Sequence, residues 1–151
     1  MDIFNFNDGN GPVPAHKHPN GGGWVANTAL VDKSVFVSSG ARVFGNAKVF
    51  DYARILDAAW VYDDAKVYGR AEIRGGALVF GNARIFDRAK VYGKARVYGN
   101  VKVCGKAKVF GVARVYDRIK ISGKAAISDA KTLTSYEDEL RSNHEVAHRI
   151  Q

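Results

Sequence analysis

The sequence predicts an all-β solenoid, a parallel β-helix of about six triangular coils, and two observations lead to this prediction. From Val25 to Thr132 the chain repeats every six residues without an insertion, and the first residue of each hexad is Val or Ile. From Val43 onward, the third residue of each hexad is Gly or Asp. A period this regular is typical of repeat proteins, in which each repeat packs only against its neighbours.

The direction of each side chain in a hexad follows from the order Ala47-Lys48-Val49-Phe50. Small, polar, aliphatic and aromatic side chains alternate with a period of two, which is the pattern of a short half-buried strand. The Gly or Asp that comes next accepts a positive φ and predicts a bend. Three bends close a coil, so we expect Val and Ala to fill a narrow core over residues 25–132.

The residues before the repeat, 1–24, predict a leader that caps the first coil. Ile3–Asn7 has the composition of a short strand, and the Gly, Pro and Asn residues after it are turn signals. We expect Trp24, together with Phe4 or Phe6, to cover the open end of the core.

The residues after the repeat, 133–151, predict a C-terminal α-helix. It contains His144-Glu-Val-Ala-His148, a spacing that places two imidazoles on one helical face, where they can bind zinc. We interpret this match as an accident of sequence, with His144 and His148 as weak metal candidates, and we expect no cofactor. The leader histidines His16 and His18 are expected to be solvated.

The net charge is +8, and the excess of cations lies in the repeat, since the leader and the tail are each net negative. Six of the acidic residues of the repeat occupy its bends and so have a structural reason to be there. These are Asp51, Asp57, Asp63, Asp87, Asp117 and Asp129. The outward strand positions are therefore strongly basic, which favours an anionic partner.

Residues 18 apart lie one coil above another, so each outward position forms a column. We predict a basic ladder beside an aromatic ladder on one face, and a further line of cations at the next corner. The predicted ligand-binding residues are Lys48, Lys66, Arg84, Lys102 and Lys120, then Tyr62, Phe80, Tyr98 and Tyr116, and finally Arg70, Arg88, Lys106 and Lys124. Bases or flat ligands stack on rings while phosphates meet cations. A solubilising basic stripe is the alternative interpretation.

Three outward apolar residues predict a packing surface. Leu56, Trp60 and Leu78 are expected to adjoin one another on the third face and to be covered by the C-terminal helix or by another subunit. The expected function is that of a non-enzymatic, oligomeric binding protein that holds or blocks a nucleotide, a nucleic acid or an acidic protein. A purely structural spacer is an alternative.

The motif resembles the hexapeptide-repeat family, in which an aliphatic residue and a small residue four places later point into the coil. Val43 with Ala47, and Val61 with Ala65, fit that rule. The resemblance implies a left-handed β-helix and homotrimers. It also raises a second function, that of an acyl-CoA-dependent acyltransferase with a histidine base. The repeat itself contains no histidine, so such a base would have to come from the flanks.

The leader His18-Pro-Asn-Gly-Gly-Gly-Trp24 and the absence of insertions resemble short phage and prophage members of that family. This resemblance implies an inhibitor or a sponge for a signalling nucleotide. The single cysteine, Cys104, is placed outward by the pattern, and an exposed thiol suits a reducing compartment. Because no apolar run is long enough to span a bilayer, we expect a cytoplasmic protein without a membrane partner.

Overall fold

The structure is a computed structural model that describes residues 2–128 together with the backbone of two later strands, Thr132–Leu133 and Glu139–Leu140. It is an all-β parallel solenoid of about six coils, which confirms the fold class predicted from the hexads. The C-terminal helix predicted over 133–151 is not seen at Glu139–Leu140, which form a strand, and otherwise lies outside the described residues.

Each coil contributes one short strand to each of three faces. The leader and the first coil contain β1 (Ile3–Asn5), β2 (Pro12–Lys17), β3 (Trp24–Ala26), β4 (Leu30–Val31) and β5 (Phe36–Val37). The following coils contain β6 (Arg42–Val43), β7 (Lys48–Val49), β8 (Arg54–Ile55), β9 (Trp60–Val61), β10 (Lys66–Val67), β11 (Glu72–Ile73), β12 (Leu78–Val79), β13 (Arg84–Ile85), β14 (Lys90–Val91), β15 (Arg96–Val97), β16 (Lys102–Val103), β17 (Lys108–Val109), β18 (Arg114–Val115), β19 (Lys120–Ile121), β20 (Ala126–Ile127), β21 (Thr132–Leu133) and β22 (Glu139–Leu140).

The strands form three sheets, one along each face of the prism. Sheet 1 has the order β1-β2-β3-β6-β9-β12-β15-β18-β21, sheet 2 has the order β4-β7-β10-β13-β16-β19-β22, and sheet 3 has the order β5-β8-β11-β14-β17-β20. Within each sheet, residues 18 apart are partners. Lys66, for example, pairs with Lys48 on one side and with Arg84 on the other. Outward side chains therefore stack in columns, with neighbours roughly 4.8 Å apart.

The core is a single narrow column of aliphatic side chains and alanines. From Val43 to Ile127, every first-position side chain is 0% exposed. The fifth positions are equally buried, and they remain so where Ala gives way to Val101 and Ile119. No side chain of a charged residue enters this core in the described part of the chain, so charge is confined to the outer surface.

Each bend from Gly45 to Gly123 places its third-position residue at positive φ. At Gly75, φ is +65°, and an added Cβ would lie 2.9 Å from the carbonyl oxygen of Gly93 in the next coil. Asp87 occupies the same position of its own hexad with φ at 59°. The positive φ of the bend thus restricts this position to residues that tolerate the left-handed region.

The leader extends sheet 1 beyond the first coil. Strand β1 pairs antiparallel with β2, and β2 pairs antiparallel with β3. Phe4 stacks on Trp24 with 4.7 Å between ring centroids, and Phe6 is 1% exposed against Phe44. The predicted strand at Ile3–Asn7 is observed over its first three residues.

Candidate functional site

The bend inside each hexad divides its outward side chains between two faces. Phe44 directly follows strand β6 of sheet 1, whereas Lys48 begins strand β7 of sheet 2. Gly45 and Asn46 form the bend between them. The prediction that the aromatic ladder and the basic ladder of these hexads share one face is therefore wrong, because residues four apart lie on opposite sides of a corner.

The basic ladder lines a groove at the corner between sheets 1 and 2, which we call the amide groove. Its volume is about 420 Å³, and its walls combine the predicted cations with corner side chains that are mainly amides. It is lined by Asn46, Lys48, Asp64, Lys66, Asn82, Arg84, Asn100, Val101 and Lys102. Lys120 continues the same column as the register partner of Lys102. This groove offers positive charge beside neutral hydrogen-bonding groups.

A second groove lies at the corner between sheets 2 and 3, and we call it the cationic groove. Its volume is about 460 Å³. It is lined by Tyr52, Arg54, Arg70, Glu72, Arg88, Lys90, Lys106 and Lys108. Lys124 occupies the same corner position one coil after Lys106, next to the backbone hydrogen bond from Lys106 N–H to the Gly123 carbonyl.

Charge in the cationic groove is largely uncompensated. Six cations face a single carboxylate, that of Glu72. Glu72 lies 3.6 Å from Arg54, and among the described residues none of the other five groove cations forms an ion pair. The guanidinium of Arg70 lies 5.7 Å from the ring centroid of Tyr52, in a cation–π contact.

Among the described residues, the acids at this corner form no ion pair with the groove cations, and their carboxylates bond to backbone N–H groups. Asp87 lies in the corner beside Arg70 and Arg88, yet its Oδ2 accepts a hydrogen bond from the N–H of Gly105 at 3.0 Å. Asp51 accepts a similar bond from Gly69 at 3.1 Å. These aspartates hold the bends, and they lower the positive charge of the corner without forming an ion pair.

The aromatic ladder on sheet 1 is continuous but presents few open ring faces. Phe6 of the leader begins it, and the rings then follow one per coil through Phe44, Tyr62, Phe80, Tyr98 and Tyr116. Centroid separations are 4.7 to 5.2 Å. Each internal ring is thus covered on both faces by its neighbours. The ladder stabilises the stack, and bases cannot intercalate between rings that already contact each other.

A second ladder, formed by Phe50, Tyr68 and Phe86, shares the sheet 2 face with the basic ladder. Burial raises the pKa of Tyr68, and burial likewise raises the pKa of Tyr62 in the sheet 1 ladder. Both phenols therefore stay neutral under ordinary conditions and act as hydrogen-bonding groups.

The predicted apolar trio is divided by a corner. Trp60 and Leu78 are register partners in sheet 1, but Leu56 follows strand β8 of sheet 3. All three are half-buried in the single chain. Trp60 packs edge-on against Phe44 at 5.7 Å, and Arg42 lies over its ring at 5.1 Å. Part of the Trp60 surface that the pattern left exposed is therefore covered by the chain itself.

The expectations that His18 is solvated and that the Cys104 thiol is exposed are both wrong. His18 is 3% exposed, and its Nε2 donates a hydrogen bond to the carbonyl oxygen of Val35 at 2.7 Å, so it is a structural residue of the leader. His16 is exposed, and its Nδ1 lies 2.7 Å from Oδ1 of Asn27. Cys104 is 6% exposed although it occupies an outward second position one coil after Phe86, so the expectation of an exposed thiol is wrong.

Residues that sequence reasoning missed lie in both grooves. The sheet 3 column contributes Arg54, Lys90 and Lys108, and Tyr52 stands at one end of the cationic groove. The signal was present, because sixth positions follow the bend and share a corner with the fourth position before it. Because the bend separates position 2 from position 6, the sixth-position cations of sheet 3 lie beside Arg70 and not beside the aromatic residue of their own hexad.

No family model, curated protein or solved structure matches this chain. In the part of the chain that the structure describes, no cluster of three or more His, Cys, Asp and Glu side chains could hold a metal ion. The weak metal candidates His144 and His148 lie outside that part. Across the same described residues, no helix has the length and apolar character needed to cross a membrane.

Proposed function

We propose that this protein is a non-enzymatic binding protein that holds an acidic partner against its basic grooves. The observation that carries this proposal is the charge of the cationic groove, where six cations line the walls with one carboxylate and, among the described residues, a single ion pair forms. The amide groove supplies a second basic surface with Lys66, Arg84 and Lys102 at its centre.

Like charges in these columns are held close together by the fold. Cations about 4.8 Å apart repel each other by about 1 kcal/mol in water, and by more where protein displaces water. Long side chains relieve part of this repulsion by splaying, and salt screens the rest. A bound anion removes it directly, so binding of an acidic partner gains from charge that folding has already concentrated.

A surface that served solubility alone would mix both signs of charge. Here the corner carboxylates of Asp51 and Asp87 accept backbone hydrogen bonds instead of pairing with the groove cations. Even with these two carboxylates counted beside Glu72, six cations face three acids at this corner, and this excess favours a binding surface over a solubilising stripe or a structural spacer.

The test is isothermal titration of the protein with three anions of different backbone, at low and at high salt. The anions are a short oligothymidylate, inorganic polyphosphate and polyglutamate. Affinity for at least one should fall steeply with salt, because each released counterion contributes to the slope. Affinity that does not change with salt for any of the three would contradict the proposal.

Double charge reversals separate the surfaces. The variants are R88E/K106E in the cationic groove, R84E/K102E in the amide groove and, as a control with the same change of net charge, R96E/R114E on the sheet 1 face. A groove variant should lose at least tenfold in affinity while the control loses far less. Equal losses in all three would show that net charge alone attracts the anion, and the groove proposal would then be abandoned.

We also propose the finer assignments that the sequence suggests, namely a left-handed coil of the hexapeptide-repeat type and a cytoplasmic homotrimer. The phage-type resemblance adds an inhibitor or nucleotide sponge. Support for assembly comes from the part of Trp60 and Leu78 that the single chain leaves exposed and that a second copy would cover. Native mass spectrometry of the gently purified protein reports the oligomer and any retained anion. A ligand-free monomer would contradict both the homotrimer and the nucleotide sponge.

A further inference from the structure

We propose that the cationic groove binds the phosphate backbone of a single-stranded nucleic acid and that one base stacks on Tyr52. This inference rests on the proposed function and names the partner and its placement. It concerns the corner between sheets 2 and 3, and it leaves the amide groove to another part of the same ligand or to none.

The groove has two charged walls that run parallel to the solenoid axis. One wall is the corner column and the other is the first column of sheet 3, so each coil adds one residue to each wall. The successive levels are Tyr52 with Arg54, Arg70 with Glu72, Arg88 with Lys90, and Lys106 with Lys108. Levels repeat roughly every 4.8 Å. A linear ladder of charge between two walls suits a linear polyanion, whose charges also repeat along one direction, better than a compact dianion.

A concave track of this kind admits one backbone. The groove volume is about 460 Å³, shared among four coils, and cations line both sides. Positively charged grooves that follow the backbone are the usual device of proteins that bind single strands. In a duplex the two backbones lie apart on the surface of a wide cylinder, so only one of them could enter this groove.

Tyr52 distinguishes a nucleic acid from other polyanions. Tyr52 is 64% exposed, in contrast to the internal rings of the sheet 1 ladder, which are covered on both faces by neighbours 4.7 to 5.2 Å away. It stands at the end of the groove with Arg70 5.7 Å from its ring centroid. An accessible ring next to cations provides a stacking platform for a base beside sites for its phosphates. Polyglutamate and polyphosphate have no group that would use it.

The same geometry predicts binding without sequence preference. The groove walls carry cations, which meet phosphates, and the corner amides that could read base edges, Asn46, Asn82 and Asn100, belong to the amide groove across sheet 2. Phosphate contacts fix position but carry no sequence information. Stacking on a single tyrosine tolerates every base.

The experiment measures fluorescence anisotropy of a labelled oligothymidylate, with unlabelled inorganic polyphosphate as competitor to report affinity for a chain of phosphates without bases. Tyr52→Ala should weaken oligothymidylate binding about tenfold and leave polyphosphate binding unchanged. Tyr52→Phe keeps the ring and should match the parent protein for both. Tyr98→Ala, which removes a covered ladder ring, is the matched control and should leave the affinity of folded protein for either probe unchanged.

Each outcome decides the matter. The inference is overturned if Tyr52→Ala changes both affinities equally or neither, if duplex DNA binds as tightly as the single strand, or if polyglutamate binds more tightly than both phosphate polymers. If Tyr52→Ala changes both affinities equally or neither, but binding depends on salt and is abolished by R88E/K106E, the proposed function stands and only the base contact is removed. Failure of every anion to bind would remove both.

Discussion

The carboxylate of Asp87 accepts a hydrogen bond from the backbone N–H of Gly105, 18 residues later and one coil further along, at 3.0 Å. The same contact joins Asp51 to Gly69, Asp57 to Gly75 and Asp63 to Gly81. In each case a bend aspartate at positive φ is followed, in the next coil, by a bend glycine. The side chain of one coil thus bonds to the backbone of the next without opposing a second carboxylate.

Replacing Asp87 tests this contact. Asp87→Ala removes the acceptor and places an alanine at φ 59°, so we expect a loss of about 1 to 3 kcal/mol in the free energy of unfolding. Asp87→Asn keeps an acceptor on a residue that tolerates this conformation and should lose much less. Asp87→Gly removes the backbone strain at positive φ but still lacks the hydrogen bond, so its stability should lie between those of the other two variants. Urea unfolding followed by circular dichroism reports the order, and equal stability of all three variants would contradict the role.

Two adjacent glycines provide a matched pair for the bend geometry. A Cβ at Gly75 would lie 2.9 Å from the carbonyl oxygen of Gly93 and would sit at φ +65°, whereas a Cβ at Gly76 would lie 3.6 Å from the same atom at an ordinary φ. Gly75→Ala should cost about 1 to 3 kcal/mol. Gly76→Ala should be neutral or stabilise by up to about 1 kcal/mol, through the unfolded chain. The urea midpoints of the two variants make the comparison, and a Gly75→Ala protein as stable as Gly76→Ala would show that the positive φ does not restrict this position.

Much of the fold was predictable because the hexad encodes it locally. The aliphatic residue at position 1 and the Ala at position 5 point into the core, as Val79 and Ala83 illustrate. The Gly or Asp at position 3 forms the bend, as Gly81 does. The leader carries no such repeat. The burial of His18 depends on the carbonyl of Val35, 17 residues away, and a single sequence does not display that contact.

The candidate site was predicted only in part. The columns were predicted, since residues such as Lys66 and Arg84 pair in register. Which columns face each other was not, because Phe44 and Lys48 are close in sequence but are separated by the corner at Gly45. Which aromatic rings keep an exposed face could not be predicted either, because ring stacking depends on side-chain packing as well as on spacing in the sequence.

Arg42 links the leader to the coils and gives a further prediction. Its guanidinium lies 5.0 Å from the Phe4 ring centroid and 5.1 Å from that of Trp60. Its Nη1 is buried without a hydrogen-bond partner in the described structure. Two cation–π contacts contribute about 1 to 2 kcal/mol, and the unsatisfied nitrogen costs about 1 to 3 kcal/mol, so the two effects nearly cancel.

Arg42→Met should therefore change the free energy of unfolding by less than about 1 kcal/mol, because methionine fills the gap between the rings without a polar group. Arg42→Ala leaves that gap empty and should loosen the leader, which limited proteolysis before Trp24 would detect. A strongly destabilised Arg42→Met protein would mean that the cation–π contacts outweigh the unsatisfied nitrogen.

His18 makes the docking of the leader sensitive to pH. Burial lowers the pKa of His18 below its usual 6.5, the bond to Val35 opposes this in part, and the nearby His16 lowers it further. The unfolded chain therefore binds a proton at higher pH than the folded chain does. Stability that is present above pH 6.5 is lost as the pH falls through that value towards the lower pKa of the folded state.

His18→Gln keeps an N–H donor for the Val35 carbonyl but does not titrate, so its urea midpoint should fall less than that of the parent protein between about pH 7.5 and pH 5. His16→Gln, at the exposed histidine, should retain most of the parent's pH dependence. Parallel pH profiles for the parent and His18→Gln would show that His18 does not link the leader to pH.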